Sequence, residues 1–202
     1  MTVTALRQTS PERCTVVLDG TEIKTTLGVV TELRLFVGRE LDEAELERLQ
    51  NASSLSLCRQ RALEMVGRRA MSRKELVTKL TEKGESSENA ETCADWMVDA
   101  GFIDDGVYAG MVVRHYAAKG YGEGRIRSEL IRRGVSRELW DEAMREMPEQ
   151  SDKLQRFIRS RLTDPEDRQQ IKKVCDGLLR RGYSYDEIKH ALEEFKADIE
   201  EY

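Results

Sequence analysis

The feature that most constrains the fold of this chain is a stretch written three times. "ELVTKLTEKG" (residues 75–84), "RIRSELIRRG" (125–134) and "KVCDGLLRRG" (173–182) align without gaps. Each ends in a basic residue and a glycine, and the glycines lie 50 and 48 residues apart. A serine stands two residues past each one: Ser86, Ser136 and Ser184. Gly adopts the left-handed conformation that closes a helix, and Ser accepts the free N–H groups that open the next. One such match is commonplace, but three at a single period signal stacked helical units.

The flanking segments complete each unit. "SLCRQRALEMVGRR", "VYAGMVVRHYAAKG" and "KLQRFIRSRL" precede the aligned helix, and "ENAETCADWMVDA", "RELWDEAMREM" and "YDEIKHALEEF" follow it. Ser72 with Glu75, and Ser184 with Glu187, have the spacing of capping boxes. Asp164-Pro165 has the form of an N-cap followed by Pro at the first helical position, so the middle helix of the third unit is expected to start early and run longer. The chain start differs. "CTVVLDGTEIKTT" places Asp19-Gly20 between two β-prone runs, which predicts a hairpin. "GVVTELRLFVG" then reads as a short helix ending at Gly38, and Asp42 as the N-cap of another. The expected class is mainly α, with tandem three-helix repeats behind a small N-terminal β-hairpin and helix module. The expected boundaries are 1–54 for the module, then 55–105, 106–150 and 151–202 for the three repeats.

Alignment of the repeats shows where the middle one departs. Ile126 matches Leu76 and Val174, and Leu130 matches Leu80 and Leu178, which defines the buried stripe. Arg127, however, matches Val77 and Cys175. Arg125 matches Glu75 and Lys173, and Arg132 matches Glu82 and Arg180. At 100° per residue Arg127 falls at the edge of the apolar arc, between Leu130 and Ile131. Arg125, Ser128, Glu129 and Arg132 are assigned to the outer face. A buried unpaired guanidinium would be costly, so Arg127 is expected either to reach the surface along its stem or to face a partner or groove. Arg114 and Lys119 on the preceding helix extend the basic surface, with Tyr116 and Tyr121 interleaved.

Other chemistry is missing from the sequence. The two histidines, His115 and His190, lack the company of a metal site. "GYGEGR" lacks the strand–loop–helix context of a phosphate loop and reads as a turn, and Asp104-Asp105 reads as an N-cap. Cys14, Cys58, Cys93 and Cys175 have no redox or ligand spacing and read as reduced core residues. No catalytic residue, cofactor or metal is expected, and no enzyme. No apolar run spans a bilayer and no leader is visible, which places the chain in the cytoplasm. The net charge of −5 argues against a dedicated duplex binder, though an acidic chain can carry a local basic stripe.

"MSRKELVTKLTEKG", "GFIDD" and above all "KGYGEGRIRSELIRRGV" resemble the RecX family of bacterial regulatory proteins that modulate the RecA recombinase. The "LDG" hairpin and "GRELDEAEL" resemble the front end of its members. "GESSENAETCADW" is more polar than the family pattern, and the third repeat matches more loosely. The resemblance implies an elongated, curved body of three-helix repeats. It also implies an inhibitor that binds RecA and its DNA filament and curbs filament extension, ATP hydrolysis and strand exchange in DNA repair and recombination. Its partner-binding residues, whether they meet RecA or phosphate, fall here on Arg114, Lys119, Tyr121, Arg125, Arg127, Arg132 and Arg133, in a monomer. The alternative is a helical-repeat protein that binds single- or double-stranded DNA directly; weak direct DNA binding is compatible with either reading.

Overall fold

The structure is a computed structural model that describes residues 1–200. It divides into two compact units, Met1–Ile103 and Asp104–Tyr202.

The first unit opens with three antiparallel strands in the order β1 (Val3–Gln8), β2 (Arg13–Leu18) and β3 (Thr21–Thr26). The expected hairpin is β2–β3. Asp19 and Gly20 both take positive φ, 45° and 89°, and Leu18 faces Thr21 across the turn. Strand β1 was not anticipated. Its residues are mostly half-buried or exposed, and its backbone groups are satisfied by pairing with β2, from Val3 opposite Leu18 to Gln8 opposite Cys14. A short helix α1 (Leu27–Glu32) follows, capped by Thr26. It ends well before Gly38, earlier than the sequence suggested.

Helix α2 (Glu43–Arg68) joins what the sequence presented as two helices. Asp42 caps it in a full capping box with Glu45, and neither Gly nor Pro interrupts residues 43–66. Its 26 residues span about 39 Å at 1.5 Å per residue. The first half buries Leu49 in the core of the sheet, with Val3, Val16, Leu18 and Val29. Two hydroxyl contacts lash it to β3, Ser53 to Thr25 at 2.8 Å and Ser56 to Thr26 at 2.7 Å. The second half is the first helix of repeat one. It buries Cys58 and Ala62 against α3 (Arg73–Glu82) and α4 (Ser87–Asp99). Cys58 and Cys93, 35 positions apart in sequence, meet thiol to thiol in this core, and their hydrogen bond, ahead of burial, pushes the Cys58 thiol up.

The second unit holds two further three-helix cores. One is built from α5 (Asp105–Ala118), α6 (Glu123–Arg132), a 3-10 turn (Arg137–Leu139) and α7 (Trp140–Arg145). The other comprises α8 (Ser151–Arg159), α9 (Arg168–Arg180) and α10 (Tyr185–Glu200). The aligned stripe behaves as expected: Leu76, Ile126 and Val174, then Leu80, Leu130 and Leu178, are fully buried. Asp104 caps α5, and Ser184 forms a capping box with Glu187. Ser136 stands at the head of its turn without a capping bond. Helix α9 does run three residues longer than α3 or α6, but Asp167, not Asp164, caps it. Asp164 instead accepts from the Glu166 N–H in a tight turn.

"GYGEGR" is more than a turn. Helix α6 begins at Gly122, which has no side chain with which to cap it. The N–H groups of Gly122 and Gly124 donate to the carbonyls of Arg181 and Gly182, each at 2.9 Å. The free donors at the start of α6 thus meet the free acceptors at the end of α9, positive dipole end to negative. Contact this close requires glycine on both sides. A Cβ on Gly182 would lie 2.1 Å from the Arg125 nitrogen, and one on Gly122 2.6 Å from the Gly182 carbonyl oxygen.

Gly120→Ala and Gly182→Ala separate backbone strain from this interlock. Both sites take positive φ, 76° and 88°, but a Cβ on Gly120 meets nothing closer than 3.5 Å. Gly120→Ala should cost about 1–2 kcal/mol, the left-handed penalty alone. Gly182→Ala should cost a further ~1–3 kcal/mol of overpacking. Thermal melts of the two variants against wild type measure the difference.

Candidate partner-binding site

Three of the four arginines on α6 and just past its end converge on one carboxylate. Glu129 is only 4% exposed. Arg132 grips it through Nη2 at 2.6 Å and Nε at 2.9 Å, Arg125 approaches to 3.3 Å and Arg133 to 3.8 Å. Burial by itself would raise the Glu129 carboxyl. Hydrogen bonds from Arg132 and Tyr116, with the charges of Arg132 and Arg125, outweigh it and hold the group below the usual carboxylate range. Three guanidinium groups on one carboxylate leave two positive charges in surplus.

The sequence reading put Glu129 on the outer face, and the structure corrects this. Ile126, Glu129, Leu130 and Arg133 stand at i, i+3, i+4 and i+7, the spacing of a buried stripe. That spacing was the signal that could have found it. A glutamate is tolerated on this face because Arg125 and Arg132, on the adjoining flank, reach over it. Arg133 continues the inward side. It is stacked 6.0 Å over Tyr108 and 5.9 Å over Tyr116, and it donates to the Tyr108 hydroxyl at 2.6 Å. Arg125 and Arg132 keep about half or more of their side chains in solvent, 48% and 65%.

The other expected residues lie apart from this hub. Arg127 is half-exposed and bound one turn back to Glu123, with Nε 2.6 Å from the carboxylate. Its aligned counterparts, Val77 and Cys175, pack against their cores; Arg127 uses its stem to bring the charge to the surface instead. Arg114 is paired with Glu146, the residue that closes α7. Lys119 lies 5.8 Å over the Tyr116 ring, and Tyr121 packs against the same ring at 5.6 Å. Tyr116 therefore links the hub to Lys119 and Tyr121. Among the described residues, no helix is long and apolar enough to cross a membrane.

Three family models match the chain: "RecX, first three-helix domain" over residues 58–97, "RecX, second three-helix domain" over 104–144 and "RecX, third three-helix domain" over 149–192. The regulatory protein RecX of Stenotrophomonas maltophilia (strain R551-3) is 37% identical over 135 residues, which cover 65% of this chain and 83% of that protein. The regulatory protein RecX of Vibrio vulnificus (strain CMCP6) is 30% identical over 138 residues, 67% of this chain and 90% of that one. Two solved structures share the fold. A crystal structure of regulatory protein RecX superposes with a TM-score of 0.74 at 24% identity, covering 97% of this chain and 98% of its own. RecX from Lactobacillus salivarius does so with a TM-score of 0.63 at 22% identity, covering 72% and 99%.

Because its folded-state pKa is depressed, Glu129 contributes stability above its unfolded pKa, and that contribution is lost as pH falls through the folded value. Glu129→Gln should therefore lower the stability of the chain at pH 7 by about 1.5–3 kcal/mol, the range for hydrogen bonds to a charged group. The gap to wild type should close in acid, below the normal carboxylate range. Thermal melts across pH 3 to 7 check both the size and the sign.

Proposed function

The chain belongs to the RecX family, and from that premise we propose that it is a regulator that binds a RecA-type recombinase on single-stranded DNA. In this reading it limits filament extension, ATP hydrolysis and strand exchange, and acts as a monomer in the cytoplasm. Regulatory protein is the name its relatives carry, and a regulator needs a docking surface where an enzyme needs a reactive centre.

The observation that carries the reading is the hub on Glu129. A flexible arginine loses side-chain freedom when it binds, and a surface that has already fixed its guanidinium groups loses less. Glu129 and Tyr116 hold Arg125, Arg132 and Arg133 in place before any partner arrives. The surplus charge then faces outward from a chain that is acidic as a whole. Arg125 and Arg132 make the contacts in this proposal, and Arg133 positions the hub from inside. Lys119 and Tyr121 extend the surface past the C-terminal end of α5. Arg127 and Arg114 contribute less, because Glu123 and Glu146 already offset their charge.

The test adds the purified chain to its cognate recombinase on single-stranded DNA and follows ATP hydrolysis. Wild type should inhibit at stoichiometric levels. Arg125→Glu with Arg132→Glu should raise the half-inhibitory concentration at least about tenfold, as for two interface anchors. Arg127→Gln should shift it far less. Full inhibition by the double variant would remove the hub from the mechanism, and no inhibition by wild type would remove the proposal.

A further inference from the structure

Repeat one brings together two cysteines that the recombinase reading does not use. Helices α2 and α4 meet along a seam of small side chains: Cys58 and Ala62 from one, Ala90, Cys93 and Ala94 from the other, all fully buried. The distance between packed helices depends on the side chains at the contact, and a seam this small lets two short thiols touch. Cys58 Sγ donates to the Asn89 carbonyl at 3.7 Å. Asn89 stands one turn before Cys93 on α4, so the Cys58 sulfur sits against the turn that carries Cys93. The two thiols lie within hydrogen-bond distance of each other. Each of the other two cysteines belongs to a different core: Cys14 is buried beneath the sheet, and Cys175 is half-buried in repeat three.

The pair is closed off from solvent, yet it lies near the surface. Arg61 pairs with Glu85 and keeps 41% of its side chain in water, and both thiols lie close enough to Glu85 to feel its charge. Asn89 is half-buried and donates from Nδ2 to the Ser54 hydroxyl at 2.7 Å. A single layer of polar side chains therefore covers the sulfurs. The two sulfurs are also unequal. The hydrogen bond from Cys58, opposed by burial and helped by the Arg59 charge, holds the Cys93 thiol below its usual range. The same hydrogen bond and burial push Cys58 the other way. One sulfur disposed to ionise and a second thiol beside it are the parts that a sulfenic acid and its resolution require.

We propose that Cys58 and Cys93 form a reversible disulfide when the chain meets a hydroperoxide, and that this bond fastens α4 to α2. The Cys93 thiolate attacks one peroxide oxygen and the O–O bond breaks. The departing hydroxide takes up the proton that Cys93 had shed and leaves as water, with Cys93 now a sulfenic acid. The Cys58 sulfur then attacks the Cys93 sulfur. An S–S bond forms, the S–O bond breaks, and the Cys58 proton leaves with the hydroxyl as a second water. In sum, two thiols give two electrons to the peroxide and become one disulfide. Sulfurs already in hydrogen-bond contact have only to close to about 2 Å, a movement that two side chains and two helices share. Disulfides that come and go with an oxidant are the kind that a reducing compartment permits. The ring closed by this bond contains the whole of α3, so it ties repeat one together covalently. The proposal is independent of the recombinase reading and shares no residue with the hub on Glu129.

The test treats the reduced full chain with hydrogen peroxide, unfolds it, blocks the remaining thiols with iodoacetamide and maps its peptides without reduction. Four free thiols should fall to two. The peptides that hold Cys58 and Cys93 should appear as one linked species, with Cys14 and Cys175 alkylated. The melting temperature of the linked chain should rise by at least about 5 °C, as for a disulfide that closes a loop of this length. Dithiothreitol should return both the melt and the peptide map to their starting form. Cys58→Ala should leave Cys93 as a sulfenic acid that dimedone traps, and Cys93→Ala should leave Cys58 unmodified. If either variant melts too early to assay, the wild-type peptide map decides alone. Four alkylated thiols, after a peroxide dose that oxidises free glutathione, would overturn the pair. Oxidation of Cys175 ahead of Cys58 and Cys93 would do the same, because exposure and not pairing would then govern the reaction. A cross-link between two chains would also count against it. An unchanged melt of the linked chain would overturn the fastening of α4 to α2. Inhibition of the recombinase is measured separately, on Arg125 and Arg132.

Discussion

Two backbone hydrogen bonds organise the second unit. The N–H groups that open α6 donate to the carbonyls that close α9, through Gly122 to Arg181 and Gly124 to Gly182. A helix end buried without partners is costly, and here two ends settle each other's unpaired groups. The arrangement replaces the side-chain caps used in the other repeats, where Ser72 and Asp167 open the corresponding helices. It also sets the position of everything near it. Tyr121 is drawn to Arg181, Arg181 is drawn to the Gly120 carbonyl, and a basic cleft is walled by residues from two repeats. Side chains at Gly122 or Gly182 would part the two backbones and open that wall.

With that framework in place, the repeats diverge through single positions on a shared helix. The stripe residues keep their size and burial, so each core closes in the same way. The flanking positions are free to change. Glu129 turns the middle repeat into a compact, preorganised arginine cluster in which every guanidinium has a partner. Gly177 leaves room in the third for the Phe157 ring, on which Arg161 and Arg181 rest. A buried carboxylate held by three arginines resists its own loss, which would leave three guanidinium groups without their shared counter-charge.

The first unit solves a different problem. A hairpin is marginal alone, and a small sheet gains stability from a third strand and from a helix packed on its apolar face. The long helix α2 lends it half of its length and gives the other half to repeat one, so the sheet and the first repeat share one rigid element. The hydroxyl contacts from Ser53 and Ser56 to β3 show why "ASSLS" is small and polar: α2 approaches the strand closely there, and the threonines of β3 need partners.

Much of this was legible in the sequence. The glycine–serine punctuation, the 3.6-residue stripe and the Asp-Gly turn are local signals, and local backbone preference decides them. They were enough to mark the three-helix repeats, the hairpin and the core positions such as Leu76, Ile126 and Leu178. The resemblance of "KGYGEGRIRSELIRRGV" to one family was equally readable. Strand β1 was not, because it depends on pairing with β2 and not on its own pattern. The same holds for the meeting of Cys58 with Cys93. Glu129 lay within reach of helical spacing, but its burial makes sense only once three arginines are seen to surround it. The interlock of Gly122 and Gly124 with the end of α9, and the cleft beside it, lie wholly beyond sequence. A chain pattern records which groups are polar and how often they recur; which charge finds a counter-charge, and which is left facing an open recess, is decided only when segments distant in sequence pack together.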